Sequence, residues 1–252
     1  RFAGDELPTN AVAVTLNLSD KLVTLTGIFG IGQLPKGDKD PYSLRRAAIG
    51  LVRIALEKHL DFSVPEVLKL TLEAWGKDLR PGTAGEVEDY IFTRLRGLYQ
   101  DQGIDAGVFA AVRANRPSSI LDFNERIKAV NAFRSRPEAQ DLAALFKRIR
   151  NIVAKSGITA GNAIDTSLLQ EDAERVLYDE YQSTLPALDT ALKKREYHAA
   201  LTQMSHLRPA VDRFFKEVMV NAEDAALKSN RIALLSALQN SLSQIADITV
   251  LY

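Results

Sequence analysis

Along this chain apolar residues recur mostly every three to four positions, the spacing of amphipathic helices, and no segment shows the strict alternation of a half-buried strand. Val12-Ala13-Val14-Thr15-Leu16 reads as a short strand in isolation, but the apolar pattern continues through Ser19-Asp20-Lys21-Leu22 to Ile28. A buried helix ending near Gly30–Gly32 is therefore expected. After a polar turn over 34–40, Asp40-Pro41 is a helix-start pair, a capping carboxylate followed by proline at the first helical position. It opens an expected helix 41–60 with Leu44, Ala48, Leu51 and Leu56 inward and Arg45, Arg46 and Arg53 at the surface. Ser63 followed by Glu66 forms a capping box for a helix reaching Lys77.

The stretch 78–85, with Pro81, Gly82 and Gly85, is the strongest break in the first half, and a domain boundary is expected there. Further helices are predicted at 86–101, 105–114, 118–135, 137–155, 167–192, 194–204, 207–219 and 223–247, with loops at 116–118 and 156–166. The fold class is thus all-α, a multi-helix bundle, divided into 1–82 and 83–252.

Composition narrows the chemistry. At 252 residues, 46% hydrophobic and 25% charged, the chain can bury a sizeable core and is not a disordered composition. No uninterrupted apolar run of 18 residues is present, so no membrane span is expected. The first residues, Arg1 to Glu6, read as a cut made inside a longer protein, without initiator Met or signal-peptide pattern. With no Cys there is no disulfide, thiolate zinc site or Cys nucleophile. The three His (His59, His198, His206) lack partners at metal spacing. Gly27-Ile28-Phe29-Gly30-Ile31-Gly32 lacks the spacing of a phosphate-binding glycine loop.

Net charge is zero, but its distribution is uneven. Residues 1–121 balance. Residues 122–155 hold eight basic side chains (Arg126, Lys128, Arg134, Arg136, Lys147, Arg148, Arg150, Lys155) against four acidic, and 156–252 hold nine against thirteen. A local cationic patch is what RNA binding requires. The patch reads as an αα-hairpin split at Pro137. In its second helix Leu142, Leu145, Ile149, Ile152 and Val153 form the apolar stripe, with Lys147, Arg150 and Asn151 opposite. In its first, Phe123, Ile127 and Val130 face inward, with Asn124, Lys128 and Asn131 outward. Basic side chains contact phosphate and outward Asn reads base edges. An ordinary solvated helix face has the same pattern, so the residues alone leave both readings open.

Other singled-out residues have structural readings beside functional ones. Asp20 is a metal ligand or a core carboxylate, and one carboxylate cannot hold a catalytic divalent ion. Trp75 and Phe214-Phe215 are core residues or partner surfaces. Tyr178 and Tyr181 pack on a half-buried helix or stack on bases. His198 and His206 are surface or core histidines.

Three segments resemble the C-terminal part of the β subunit of bacterial glycyl-tRNA synthetase. These are Leu18 to Gly32 followed by Lys39-Asp40-Pro41-Tyr42-Ser43-Leu44-Arg45-Arg46; Asp122-Phe123-Asn124-Glu125-Arg126 with Lys147-Arg148-Ile149-Arg150-Asn151-Ile152; and Phe214 to Val220 with Asn230-Arg231-Ile232. The last two are also similar to the DALR-type helical anticodon-binding domain of arginyl-tRNA synthetase. The resemblance implies that 1–82 closes an HD-like helical domain, with Asp20 matching its trailing Asp and Ser19 standing where the family has Ala. The helices carrying the His-Asp pair would lie upstream, so no phosphohydrolase activity is expected of this chain. It implies that 83–252 recognises the anticodon of glycine tRNA, and Lys147, Arg150, Asn151, Arg126, Lys128 and Asn131 are the expected tRNA-binding residues. It further implies a cytoplasmic glycine–tRNA ligase of two α and two β subunits, whose α subunit carries out aminoacylation with ATP and Mg. Within this chain it implies no catalytic residue, metal or cofactor, and neither membrane nor DNA as a partner. The alternative is a helical interaction module that docks the α subunit or upstream domains through apolar surfaces near Phe29 and Trp75, without touching the anticodon.

Overall fold

The computed structural model describes residues 6–35, 39–76, 79–158 and 163–252, and among them every regular element is helical. The expected helix end at Lys77, the first five residues and parts of the expected turns (36–38, 78 and 159–162) lie outside the described residues. The α-helices are α1 (Ala11–Gly30), α2 (Leu44–Glu57), α3 (Val64–Trp75), α4 (Thr83–Asp101), α5 (Ala106–Arg113), α6 (Ile120–Arg134), α7 (Pro137–Ser156), α8 (Asp172–Lys193), α9 (Tyr197–His206), α10 (Arg208–Glu217) and α11 (Ala225–Ser243). Short 3₁₀ turns lie at Thr166–Leu168 and Ile248–Val250. The chain forms two compact units, one of residues 1–106 and 117–124, the other of 107–116 and 125–252.

In the first unit α1 packs on α2, α3 and α4, and α2 and α3 pack on α4. The core is built from Leu25, Phe29, Leu51, Ile54, Leu68, Ile91, Phe92, Leu95 and Phe123. The boundary expected at 82–83 therefore falls inside this unit. Pro81-Gly82 is a helix-to-helix turn, with Gly82 at φ 84 immediately before α4. Turn residues mark where a helix stops, whereas the buried faces of α4 (Val87, Ile91, Leu95) decide which unit it joins.

The expected helix 41–60 begins later, at Leu44. Asp40 does cap it, its carboxylate accepting from the backbone N–H of Leu44 (2.8 Å) and Arg45 (2.9 Å) across a turn in which Ser43 adopts φ 54. Ser63 makes half of its capping box, accepting from Glu66 N at 3.3 Å.

Nor is α1 buried all round. Val12, Leu16 and Val23 fall on one side of the helix, and all three are exposed, Val12 at 70%. A helix apolar on every face has no preferred buried side in sequence; its neighbours choose one. Helix α1 is also long and apolar enough on average to cross a bilayer. Asn17, Asp20 and Lys21 interrupt it midway, and a charge at a bilayer centre costs about 2.5–3.5 kcal/mol on insertion scales. Asp20 is exposed beside Lys21, whose amine is pushed below its ordinary value by burial and partly restored by Asp20.

The glycine run at the end of α1 is a packing device. The position a Cβ would take on Gly27 lies 2.8 Å from the Trp75 ring, and on Gly30 it lies 2.5 Å from the Leu79 side chain. Trp75 is 44% exposed rather than core, yet its indole N–H donates to Thr26 Oγ1 at 3.1 Å. Gly32, at φ 79, takes the left-handed turn after the helix. Phe29 is buried against Tyr90, so it offers no docking surface.

In the second unit α8 packs on α9 and α10, and α11 packs on α7 and α8. Helix α11 is buried on nearly every side over Asn230–Ser236. Asn230 exchanges two hydrogen bonds with the backbone of Asp165 (2.8 and 2.9 Å), fixing the loop before α8. Arg231 forms a buried ion pair with Glu174, Nε to Oε1 2.6 Å, and donates to the Met219 carbonyl at 2.8 Å. Tyr181 is a core pin, its hydroxyl bonded to Ser241 at 2.8 Å, rather than a stacking platform. Phe214 is buried; His198 lies against Arg136 at 2.7 Å.

Two outcomes follow from these contacts. Arg231→Met leaves the Glu174 carboxylate buried without its partner and should lower unfolding free energy by about 3–5 kcal/mol, read from the denaturant midpoint. Gly27→Ala should cost about 1–3 kcal/mol by overpacking. Because Trp75 is the sole tryptophan, its fluorescence should shift to the red as the ring is displaced; unchanged emission would show that the ring does not depend on Gly27.

Candidate nucleic-acid interface

Helix α7 starts with Pro137 at its first position, where no intrahelical N–H is required, and ends at Gly157 in the left-handed conformation. Its apolar stripe is as expected at Leu142, Leu145 and Ile149, with Ala139, Ala143 and Phe146 added. Ile152 and Val153 are only half-buried. This stripe lies on α11 and the 248–250 turn, which leaves the opposite side of α7 to solvent.

The acidic residues of α7 both lie in its first half and are paired, Glu138 with Arg136 (3.6 Å) and Asp141 with Arg208 (2.8 Å). The second half, from Lys147 to Lys155, carries four cations and no carboxylate. Lys147, Asn151 and Lys155 are exposed and form no ion pair or side-chain hydrogen bond with a described residue. Arg148 is exposed and lies over the Phe215 ring at 4.0 Å. Arg148 and Lys155, counted in the basic patch but not among the expected tRNA-binding residues, both fall within about 100° of Lys147 around the helix axis at 100° per residue.

The remaining expected residues are divided between surface and structure. Arg150 is partly exposed, and its Nη1 donates to Asp247 Oδ2 at 3.1 Å. Asp247 is itself fixed, its other oxygen accepting from the backbone N–H of Thr249 at 3.1 Å and from the Thr249 hydroxyl. Arg126 has a structural role: its guanidinium donates to the carbonyls of Gln244 (2.5 Å) and Ile245 (2.7 Å) and covers the Tyr197 ring at 4.3 Å. These carbonyls follow directly on the end of α11, and a cation close to a helix C-terminus is favourably placed. Lys128 is exposed and pairs with Glu125 at 2.9 Å, and Asn131 is half-buried. The structure thus brings Lys147, Arg150 and Asn151 together on one face of α7, and engages Arg126 and Lys128 in contacts within the fold.

Beside Arg150, between α7, α11 and residues 246–249, is a cavity of about 170 Å³. Asn115, Phe146, Gln239, Ser243 and Asp247 line it.

Comparison with known proteins separates these residues further. Residues 1–114 match the family described as glycyl-tRNA synthetase beta subunit, and residues 142–250 match the DALR anticodon binding domain. Over its whole length the chain is 46% identical to a glycine–tRNA ligase beta subunit of Pseudomonas aeruginosa and 44% identical to those of Acinetobacter baumannii and Pseudomonas syringae pv. syringae. The chain is thus similar, over its whole length, to part of the glycyl-tRNA synthetase β subunit. It corresponds to the C-terminal region and spans 37% of the length of these relatives. The DALR segment contains Lys147, Arg150, Asn151 and most of the cavity lining. Arg126, Lys128 and Asn131 fall between the two matched segments.

Removing these two kinds of arginine and lysine should have different consequences. Arg126→Ala loses two charge-assisted hydrogen bonds and a ring contact, and should destabilise the chain by about 2 kcal/mol in thermal or denaturant unfolding. Lys147→Ala should stay within about 0.5 kcal/mol of the parent, as exposed positions without partners do.

Proposed function

We propose that this chain binds glycine tRNA at its anticodon arm, through the second half of α7, and supports glycyl-tRNA formation by a larger ligase. The observation that carries this reading is the row Lys147, Arg148, Arg150 and Lys155, uninterrupted by acid, on the outward face of a helix inside the DALR segment. The acids of α7 are held at its other end, so among the described residues only Arg150 of the four cations is paired with a carboxylate, that of Asp247. In this reading Lys147 and Lys155 contact phosphate, Arg150 and Asn151 lie nearest the bases, and Lys128 adds charge from α6. Arg126 acts indirectly, by holding the end of α11. Aminoacylation, with its ATP and Mg, belongs to a separate α subunit in a cytoplasmic assembly of two α and two β subunits.

A second reading has one specific observation behind it. The exposed stripe Val12, Leu16 and Val23 on α1 is an apolar surface of the first unit that fits docking against the α subunit or upstream domains. Capture of the α subunit by this chain, persisting at high salt and lost in Leu16→Glu, would favour docking. Such docking is compatible with tRNA binding by the second unit.

With three to five phosphate contacts, log affinity for a glycine anticodon stem-loop should fall against log salt with a slope of roughly −2 to −4. Lys147→Glu with Lys155→Glu should weaken binding about tenfold or more and flatten that slope. Unchanged affinity would remove this face of α7 from the interface.

A further inference from the structure

A lysine usually buries its stem and keeps its charged head in water. Lys21 of α1 departs from that pattern, because its head is held against α2. The position a Cβ would take on Gly50 lies 2.5 Å from Lys21 Cε and 3.6 Å from Nζ, so the glycine leaves a gap that the lysine chain fills. The amine donates to the Asn17 side-chain oxygen one turn back. The residue is half-buried and forms no ion pair with a described residue. On α2 the ionisable residues are Arg45, Arg46, Arg53 and Glu57, and the one acid among them is paired with Arg53 at 2.8 Å. Of the charged groups on α1 and on the helices packed against it, α2, α3 and α4, only Asp20 acts on the amine.

An amine drawn partly out of water, with no carboxylate bonded to it, gives up its proton more readily than an exposed one. Burial accordingly pushes Lys21 below its ordinary value, and Asp20 restores only part of the shift. The neutral amine is the nucleophilic form. With one N–H engaged by Asn17, its lone pair is directed away from that oxygen and is left for an incoming carbonyl.

We propose that Lys21, seated in the gap between α1 and α2, is an acylation site of this chain that takes its acyl group from a small acyl phosphate. The amine nitrogen bonds to the carbonyl carbon, and the C–O bond to phosphate breaks. Phosphate leaves with that electron pair, and the proton lost from nitrogen passes to water. A small donor suits a half-buried amine, which bulky carriers of acyl groups reach poorly. The product is a neutral amide, larger than the amine it replaces. It leaves Asp20 as the only charge on α1 and adds an acyl group where Gly50 makes room for a bare lysine chain. Acylation therefore loosens the α1–α2 contact, and it does so without touching the charged face of α7.

The test is treatment of the folded 252-residue chain with acetyl phosphate, the modified fraction of each lysine being followed by peptide mass spectrometry. Lys147 and Lys155, exposed and without partners, serve as internal references. At neutral pH Lys21 should react severalfold faster than either. Above about pH 10.4, where exposed lysines are neutral as well, that advantage should vanish. Gly50→Ala drives the lysine chain out of its gap and should abolish the advantage at neutral pH. Unfolding the parent in guanidinium chloride should do the same, a readout that depends on no variant. After equal treatment, the parent should melt at a lower temperature than Lys21→Arg, which keeps the charge and is not acylated at this position. Lys21 reacting no faster than Lys147 at neutral pH overturns the proposal. So does an advantage that persists at high pH or in folded Gly50→Ala, since access alone would then set the rate.

Discussion

The buried pair of Glu174 and Arg231 is the constraint on which the second unit depends. The Glu174 carboxylate also accepts from the backbone N–H of Gln170 and Glu171, closing the start of α8, while Arg231 reaches the Met219 carbonyl after α10. One pair of charges therefore fixes the start of α8, the segment between α10 and α11, and the depth at which α11 sits. Removing two charges from water is tolerable only when every donor and acceptor is satisfied. Here the surrounding backbone supplies the partners that complete the pair. Once α11 is placed, α7 has a defined surface to lie on, and the charged side of α7 must face outward.

The segment after α11 shows one residue type held in two different ways. The two carbonyls just after the helix, of Gln244 and Ile245, accept from Arg126 of α6. A few residues further on, Asp247 holds Arg150 from α7 in a fixed orientation. Both arginines are attached to the same short segment, but Arg126 is used up by the fold while Arg150 keeps donors to spare. A side chain held this way has little freedom left to lose in any contact that it makes.

Much of the architecture was legible in the sequence because it rests on local rules. Apolar spacing located the helices, generally to within a few residues, and Asp40, Ser63 and Pro137 marked starts that the structure uses. The stripe on α7 and the charged face opposite it followed from 100° periodicity alone. The resemblance carried by Leu18 to Gly32 and by Asn230-Arg231-Ile232 pointed to the family. In the fold these segments serve packing: glycines that admit Trp75 and Leu79, and two polar side chains that anchor loops.

What the sequence by itself determined was helix, period and charge order, each a property of residues close along the chain. It could not determine which side of α1 is covered, that α4 joins the first unit, or that Arg126 is consumed while Lys147 remains unpaired. Nor could it bring Gln239, Asn115 and Asp247 to the edge of Arg150. Those outcomes depend on groups brought together over separations of tens to more than a hundred residues, as between Arg126 and Ile245. A one-dimensional pattern does not encode that distance, and only the packing of α7 and α11 sets it.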